Sequence, residues 1–434
     1  MLNSKKKFII IALLAVVCTG VKAQNMNPSN NGSTPYSRYG YGRLAETSFV
    51  RNRAMGGIGY GLRTNQQTNT MNPASYTAID SLTFLFDFAL NAQIDKYKEY
   101  GLSESKWDGG LDYLAMQFPI GKYFSASLGL LPYSYVGYSY GVSDSLAVEG
   151  SADDTKIAYT QAYAGNGGLN KVYLGFGAEP FKGISVGVNV GYIFGEIAND
   201  WAVVFPNAGI SSTSANRKIS ARALELEFGV QLNRTFNEKH EVTVGGVFAP
   251  KMNMRLDATN ITTTAFSDTV SSDQTVNIPM KYGVGFTYVY DKRLTVGADY
   301  SMEAWGDVYG LNDNLERQKN MYKDRSKFAI GGEYIPSLIN RNYFQRMRYR
   351  LGAHYSESYI DVKVNPNDPG SRNKEFGMTV GLGFPLKGQK SLINVAFEYI
   401  DVKPQNKTYL SESYFQFNVG LTFNEFWFFK NKIK

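Results

Sequence analysis

The residues most able to do chemistry in this chain are charged groups in two separate regions. Acidic residues recur at the polar positions of segments in which apolar and polar residues alternate, namely Asp87, Glu225, Glu227, Asp299, Glu303, Glu333 and Glu398. Arginines precede them, at Arg38, Arg43, Arg51, Arg53 and Arg63. A charge enclosed by protein needs an opposite charge or a hydrogen-bonding partner. We therefore expect ion pairs between the early segment and the alternating segments, which either anchor the early segment or control its movement.

Enzymatic chemistry has little support in the sequence. His240 falls in a short predicted turn, and His354 lies at an inward strand position beside Arg350, so neither histidine heads a triad or a metal-binding set. The glycines from Gly56 to Gly61 lack the strand, turn and helix that surround a dinucleotide-binding loop. We therefore expect no catalytic residue, no metal site and no cofactor.

The elements that position these residues are predicted to be β-strands. Apolar and polar residues alternate with a two-residue period, which is typical of a strand with two unlike faces. The alternating segments lie near residues 82–94, 109–120, 123–139, 169–180, 184–199, 217–232, 241–257, 277–290, 294–308, 325–336, 347–361, 374–386, 390–403 and 411–425. Each is long enough to cross a membrane as a tilted strand, which takes about 9–11 residues.

The connections between these segments favour a membrane barrel over a soluble sandwich. Short turns alternate with long loops at 95–108, 140–168, 200–216, 258–276, 309–324 and 362–373. Membrane barrels have short turns on the periplasmic side and longer loops outside. Because hydrocarbon offers backbone groups no hydrogen-bonding partner, the first and last strands must pair. The predicted fold is an all-β, 14-stranded antiparallel transmembrane barrel with a plug in its lumen. It would lie in the lipid of a Gram-negative outer membrane with both termini in the periplasm.

Residues 1–23 are predicted to be a secretory signal peptide. Lysines, an apolar run from Phe8 to Val17 and small residues around Ala23 follow one another in the expected order. Removing this leader takes four lysines from a net charge of +7, so the mature charge is +7 − 4 = +3, which does not favour nucleic-acid binding. The only cysteine, Cys18, leaves with it. The remaining chain divides into residues 24–81, a periplasmic start followed by the plug, and residues 82–434, the barrel.

The stretch from Asn52 to Tyr76 has no strand pattern and is predicted to be the plug. Its glycines permit backbone angles that are closed to other residues, and its amide side chains can bond irregular buried backbone. The Asn-Pro-Ala tripeptide near its end is also compatible with an ordinary turn. The candidate plug residues are Asn52, Arg53, Gly56, Gly57, Gly59, Asn72, Pro73 and Ala74.

The glycine-rich run that leads into Asn72-Pro73-Ala74 resembles the N-terminal hatch of the FadL-like family of outer-membrane transporters for hydrophobic compounds. Together with the segment from Ser33 to Gly40, it is similar to the Bacteroidota branch of that family. The resemblance implies a kinked third strand that opens the wall sideways. By strand number and residue type this role falls on Leu131, Pro132 and Tyr133. A break near the outer rim without function is an alternative interpretation of the proline.

Two functions are compatible with this organisation. The resemblance implies passive uptake of a small hydrophobic ligand, which would pass the plug and leave through the wall. The alternative is a non-transporting structural subunit that binds a partner protein in an outer-membrane assembly or secretion complex. An apolar cavity of ~300 Å³ or more between plug and wall would favour uptake. A filled lumen with an exposed apolar patch on the loops or periplasmic turns would favour the structural role.

Overall fold

The structure is a computed structural model that describes residues 34–99, 102–147, 156–206, 209–312, 314–362, 370–386 and 390–426. The predicted signal peptide and residues 24–33 lie outside this part of the chain. The wall consists of β1 Thr83–Glu99, β2 Leu102–Pro119, β3 Phe124–Ala147, β4 Lys156–Phe181, β5 Ile184–Val204, β6 Thr213–Phe236, β7 His240–Ala249 with Met252–Thr263, β8 Ser267–Ile278 with Lys281–Tyr290, β9 Leu294–Glu303, β10 Arg325–Tyr334, β11 Arg348–Val362, β12 Ser371–Pro385, β13 Leu392–Pro404 and β14 Ser411–Phe426.

The sheet closes on itself because β14 pairs with β1, from Ser411 opposite Lys98 to Phe426 opposite Thr83. Side chains alternate between the two faces of the wall. On β6 the apolar residues Leu224, Phe228, Val230 and Leu232 are exposed, whereas Glu227 and Gln231 are buried in the lumen. Apolar residues facing out and polar residues facing in are the arrangement of a membrane barrel. The predicted 14-stranded antiparallel transmembrane barrel is confirmed.

Two of the fourteen strands are interrupted by prolines. Pro250 separates the two parts of β7, and Pro279 separates the two parts of β8. Proline has no backbone N–H and cannot continue the hydrogen-bond ladder. Both parts of β7 still pair with the corresponding parts of β8. The two parts of β7 are therefore counted as one strand of the wall, and so are the two parts of β8.

The extents of several predicted loops are wrong, because much of their length is strand. Residues 252–263 and 267–278 pair with each other where the sequence predicts a loop at 258–276. The outward apolar pattern ends at exposed ion pairs, such as Arg255 with Asp273 at 2.8 Å. Above that level the sheet lies in water, where neither face must be apolar. Backbone pairing therefore continues after the sequence pattern has stopped.

The connection from β9 to β10 folds over the outer end of the lumen. It contains a 3-10 helix at Trp305–Asp307 and a small ribbon formed by Gly310–Leu311 and Arg317–Gln318. Its buried apolar side chains pack against apolar residues on the inner faces of β5, β6 and β7. These residues are Trp305, Val308, Leu311, Leu315, Ile193, Ile197, Ile219 and Leu256. The part of the upper lumen that adjoins β5, β6 and β7 is therefore packed with apolar side chains.

Residues 34–81 occupy the lumen and form the plug. They contain a 3-10 helix at Pro35–Arg38, a two-residue strand at Arg43–Leu44, an α-helix at Val50–Arg53 and a 3-10 helix at Pro73–Ala78. No helix in the described ranges is long and apolar enough to cross a membrane.

The first described residue of the plug lies near the long-loop end of the barrel. The Thr34 hydroxyl donates to Oε1 of Glu412 at 2.5 Å, close to the start of β14. Its N–H donates to the carbonyl of Gly137 in the outer part of β3 at 2.8 Å. The plug therefore runs from this end down to the short-turn end, where β1 begins.

Candidate functional site

Asn72 and Pro73 begin the last helix of the plug. The Asn72 side-chain oxygen accepts the N–H of Ala74 at 3.1 Å, which caps the helix, and Pro73 stands where an N–H would lack a helical partner. The Asn72 amide also donates to the carbonyl of Tyr60 at 2.8 Å and to that of Val230 at 3.1 Å. One side chain therefore joins two parts of the plug to β6.

Plug and wall touch backbone to backbone where glycines face each other. Gly331 of β10 and Gly352 of β11 lie against Met55 and Gly56, and a Cβ at either wall glycine would overlap the plug backbone. Gly56 has a φ of +71°, a left-handed conformation that glycine adopts without strain. The contact is too close for a solute to pass between plug and wall at this level.

Glu333 of β10, two residues along the strand from Gly331, pairs with three arginines. Its carboxylate lies 2.8 Å from Arg51 of the plug, and 2.7 and 3.5 Å from Arg350 and Arg348 of β11. The Glu333 side chain is 3% exposed. Removing one partner from a buried network of this kind typically costs ~3–5 kcal/mol, because an uncompensated charge is left behind. The network therefore fixes the plug helix to the wall.

Two further plug arginines pair with carboxylates that the sequence analysis did not select. Arg53 lies 3.1 Å from Asp112 of β2, and Arg63 lies 3.3 Å from Glu179 of β4. Asp112 occupies a bulge, where the register between β1 and β2 shifts by one residue. The bulge breaks the two-residue period, so alternation alone could not assign Asp112 to the lumen.

Arg38 and Arg43 contact aromatic rings. The Arg38 guanidinium lies 4.0 Å from the ring centre of Tyr163 and donates to the Tyr140 hydroxyl at 3.1 Å. The Arg43 guanidinium lies 4.1 Å from the ring centre of Tyr414. Cations over aromatic faces are stabilised by the ring quadrupole. For Arg38 this contact replaces the predicted plug-to-wall ion pair.

The other predicted carboxylates bind the wall or the plug backbone. Glu225 lies 2.8 Å from Lys171, Glu227 lies 3.0 Å from Lys281, and Glu398 lies 3.7 Å from His354. Glu225 and Glu227 therefore pair within the wall, and Glu398 lies beside a wall histidine at a distance too long for a hydrogen bond, which corrects the expectation that these three acids pair with the plug. Asp299 instead accepts the N–H groups of Gly59 and Tyr60 at 2.6 and 2.7 Å. Inward lysines and arginines accompany the acids, so the lower lumen carries mixed charge.

At Glu46 the plug supplies the acid and the wall supplies the cations, which is the opposite of the expected pairing of plug arginines with wall acids. It contacts Lys327 and lies 3.6 Å from Arg325, both on β10. Burial by itself would raise the pKa of Glu46, but the two cations hold that pKa well below its ordinary value. The alternation along β10 places Lys327 and Arg325 on the inward face, so the sequence contained a signal for this pairing that was not used. Within the described residues no group of three or more His, Cys, Asp or Glu could hold a metal ion.

Two cavities that lie among described plug residues are small. One is lined by Arg43, Tyr135 and Tyr414, the other by Tyr60 and Pro132, and each has a volume of about 80 Å³. Pockets for small molecules usually hold ~300–1,000 Å³. Neither cavity reaches the size that passage of a hydrophobic compound requires.

A larger concave surface lies on the outside of the barrel. It has a volume of about 1050 Å³ and is lined by exposed apolar residues that include Val296, Ile330, Leu351 and Val380. It lies directly behind the wall glycines that contact the plug. The apolar space of ligand size is therefore on the lipid side of the wall and not in the lumen.

The wall is open along part of the junction between β2 and β3. These strands pair only from Leu114 opposite Leu130 to Pro119 opposite Ser125. Above Leu114, β2 still pairs with β1, and β3 still pairs with β4. We call the unpaired upper part of this junction the seam.

Irregular backbone marks the lower end of the seam. Asp112 forms a bulge in β2, and Tyr133 forms one in β3 at the register shift after Pro132. Pro132 has no N–H with which to extend the pairing beyond Leu130. The three predicted gate residues, Leu131 to Tyr133, therefore lie where the seam begins.

The plug covers the β3 edge of the seam. The N–H of Ala45 donates to the carbonyl of Tyr133 at 2.9 Å, and the plug strand Arg43–Leu44 pairs antiparallel with Ser134 and Tyr135. Part of the strand that would complete the wall at this level is therefore supplied by the plug.

A comparison with protein families identifies the chain. A family model described as BamG matches residues 5–434. The chain belongs to the BamG family. No curated protein matches the sequence of this BamG-family member.

Solved structures resemble this BamG-family barrel in fold. A Pseudomonas aeruginosa FadL homologue superposes with a TM-score of 0.60 at 12% identity, over 89% of this chain and 99% of its own. The Ralstonia pickettii toluene transporter TbuX gives 0.54 at 14%, over 88% and 99%. The Pseudomonas putida toluene transporter TodX gives 0.54 at 15%, over 89% and 99%. At these identities the likeness shows the fold alone, and the predicted FadL-like fold is confirmed.

Proposed function

We propose that this protein is a non-transporting structural subunit of an outer-membrane protein assembly or secretion complex. The filled lumen is the observation that carries the proposal. Two cavities among the plug residues measure about 80 Å³ each, and apolar side chains under the β9–β10 connection pack the part of the outer end that adjoins β5, β6 and β7. A transport site would need a cavity of ~300 Å³ or more.

An exposed apolar turn at the opposite end supports the same role. The connection from β10 to β11 carries a short helix, Tyr343–Arg346, beyond the ends of the strands. Ile339 is 94% exposed and Phe344 is 67% exposed. Apolar side chains presented together outside the membrane band mark surfaces that bind partners. The family name, BamG, ends in a letter, as the names of the subunits of one complex often do, and this agrees with the proposed role.

The proposal includes an orientation in the membrane. We place the short turns, the start of β1 and the end of β14 in the periplasm of a Gram-negative bacterium of the Bacteroidota type, after removal of residues 1–23. The exposed β10–β11 turn then faces the periplasm, where a soluble partner or the periplasmic part of a membrane partner can reach it. The expected periplasmic N-terminus belongs to residues outside the described chain, whereas Thr34 lies near the long-loop end.

Purification of the intact protein from its own membranes in mild detergent tests this role. We expect a partner protein at constant stoichiometry through size-exclusion chromatography, and we expect the double change Ile339→Ser and Phe344→Ser to release it. A matched double change, Tyr290→Ser and Leu294→Ser, alters exposed apolar residues at a neighbouring turn and should retain the partner. A monodisperse protein without a partner would contradict the proposal.

Passive uptake of a small hydrophobic compound is the second candidate, because the seam opens the wall at Pro132 and the fold is that of the toluene transporters. Liposomes containing the purified protein measure it directly. Uptake of toluene above that of empty liposomes, slowed by Pro132→Ala, would favour transport through the seam. Equal uptake rates for the unaltered protein and Pro132→Ala would show that Pro132 has no part in transport. If neither protein takes up toluene, transport is excluded as the function and the structural role is retained.

A further inference from the structure

The β2 edge of the seam is covered differently from the β3 edge. On the β3 edge, the plug strand Arg43–Leu44 and the N–H of Ala45 bond to the backbone of β3. Above Leu114, no strand of the described chain lies opposite β2 on the side that faces β3. Across the outer part of the seam, Lys106 Nζ donates to the carbonyl of Ser139 at 3.2 Å. This is a side-chain bond, and the two strands do not pair at this level.

Part of this open edge lies at membrane depth. A tilted strand climbs roughly 2.5 Å per residue along the membrane normal, so Leu114 lies ~13 Å above Pro119 at the short-turn end. The apolar band of such barrels is ~25 Å tall, which places residues 109–113 inside it. Trp107 and Leu111 point outward and are 74% and 49% exposed. Both side chains suit lipid or its interface, and hydrocarbon offers nothing to the backbone groups beside Leu111.

We propose that the β2 edge above Leu114 binds an extended strand of a partner outer-membrane protein by β-strand addition. Only polypeptide presents alternating N–H and C=O groups at the spacing of a strand, and each such group left without a partner in hydrocarbon costs several kcal/mol. The partner strand would place apolar side chains beside Trp107 and Leu111 on the lipid side. The proposal rests on the structural role proposed above and names where the partner binds.

The plug explains why one edge alone is available. On β3 the plug already accepts and donates the hydrogen bonds of residues 133–137, so a partner strand cannot replace it without unpacking the lumen. Closing the seam by pairing β2 directly with β3 is opposed by Pro132, which lacks an N–H, and by the bulges at Asp112 and Tyr133. The wall is therefore shaped to stay open on the β2 side.

Hydrogen exchange on the unaltered protein gives the first test. The amides of residues 103–113 that point toward β3, and not toward β1, are compared in the complex extracted from membranes and in the isolated barrel. We expect exchange at least about tenfold slower in the complex, because strand addition protects the edge. Residues 114–119, which already pair with β3, serve as the internal control and should not change.

Photo-crosslinking gives the second test. A benzophenone side chain is placed at Trp107 or Leu111, and at Phe228 as a matched control that is 46% exposed and paired on both sides, with Val188 and Phe248. We expect Trp107 and Leu111, and not Phe228, to capture one segment of the partner that mass spectrometry assigns to a β-strand. Capture of a second copy of this chain, or of lipid alone, would overturn the proposal.

The two proposals fail in different ways. If a partner co-purifies but residues 103–113 exchange equally fast with and without it, the strand-addition site is wrong and the structural role stands. If no partner accompanies the protein in any membrane extract, the structural role itself fails.

Discussion

The β10–β11 wall and the β2–β3 seam show two opposite relations between a barrel and its plug. At β10–β11 the strands pair from Lys327 opposite Ser356 to Tyr334 opposite Tyr349, and the plug is pressed against them through glycine backbone and the Glu333 network. At the seam the strands separate, and the plug supplies a strand to β3. The plug is therefore part of the wall on one side and is fixed to a paired wall on the other.

This comparison argues against a plug that moves as a unit. Displacing it would break a buried charge network on one side and a β-ladder on the other. Four changes weaken contacts that hold the plug in place, and Glu333→Gln is expected to have the largest effect.

The largest effect is expected for Glu333→Gln. The substitution leaves Arg51, Arg348 and Arg350 without their carboxylate in a buried site. We expect a loss of ~3–5 kcal/mol in unfolding free energy, measured by urea titration in detergent, together with easier proteolysis of the plug. The control Arg255→Gln breaks an exposed pair with Asp273 and should cost about 0–1 kcal/mol. Equal losses would show that the network does not hold the plug.

A smaller effect is expected for Gly331→Ala. The new Cβ would overlap the backbone of Met55, so the plug must shift from the wall, at a cost of ~1–3 kcal/mol. Gly121→Ala is the matched control, since a Cβ there meets nothing within 4 Å. Thermal unfolding followed by electrophoretic mobility measures both. A barrel that accepts Gly331→Ala as easily as Gly121→Ala would have a loosely packed plug.

Removing the cap at Asn72 should cost less still. Asn72→Ala loses the bond to Ala74 and the two donated to Tyr60 and Val230, and we expect ~1–2 kcal/mol. Asn342→Ala removes a similar cap from an exposed helix, where Phe344 N–H is bonded at 3.0 Å. That control should leave protease protection of the plug unchanged. Loss of protection in both variants would mean that the effect is not specific to the plug.

The smallest effect is expected from acid. Because the folded pKa of Glu46 lies below its ordinary value, its contribution is complete above the unfolded pKa of about 4.3 and fades only as pH falls through the folded value. The difference in plug protection between the wild type and Glu46→Gln should therefore stay constant from pH 8 to about pH 5. Limited proteolysis at stepped pH measures it, and a difference that vanishes near pH 6 would contradict the assignment.

The sequence predicts the barrel well where the membrane imposes a rule. Lipid on one face and plug on the other force side chains to alternate, so all fourteen strands follow from the period of two. Outside the membrane this constraint ends, and residues 258–276 were mistaken for a loop although they form strands.

The partners of the charged residues in the candidate site were less predictable than the strands. The pairing of Arg51 with Glu333 follows from one rule, that an enclosed charge needs an opposite charge. Arg53 pairs with Asp112 because a bulge turns that residue inward, and no local pattern announces a bulge. Glu225 and Glu227 were expected to reach the plug, yet Lys171 and Lys281, each two strands away from β6 in the wall, lie closer. Cross-strand register decides these partners, and it is not readable from one strand at a time.

The path of the plug also has a consequence for biogenesis. Thr34 lies near one mouth of the ring, and β1 starts at the other. A polypeptide cannot be drawn through a cylinder that is already filled. The N-terminal segment must therefore be in place before β14 meets β1, and the hairpins must wrap around it in turn, so that the β14–β1 pairing completes the enclosure.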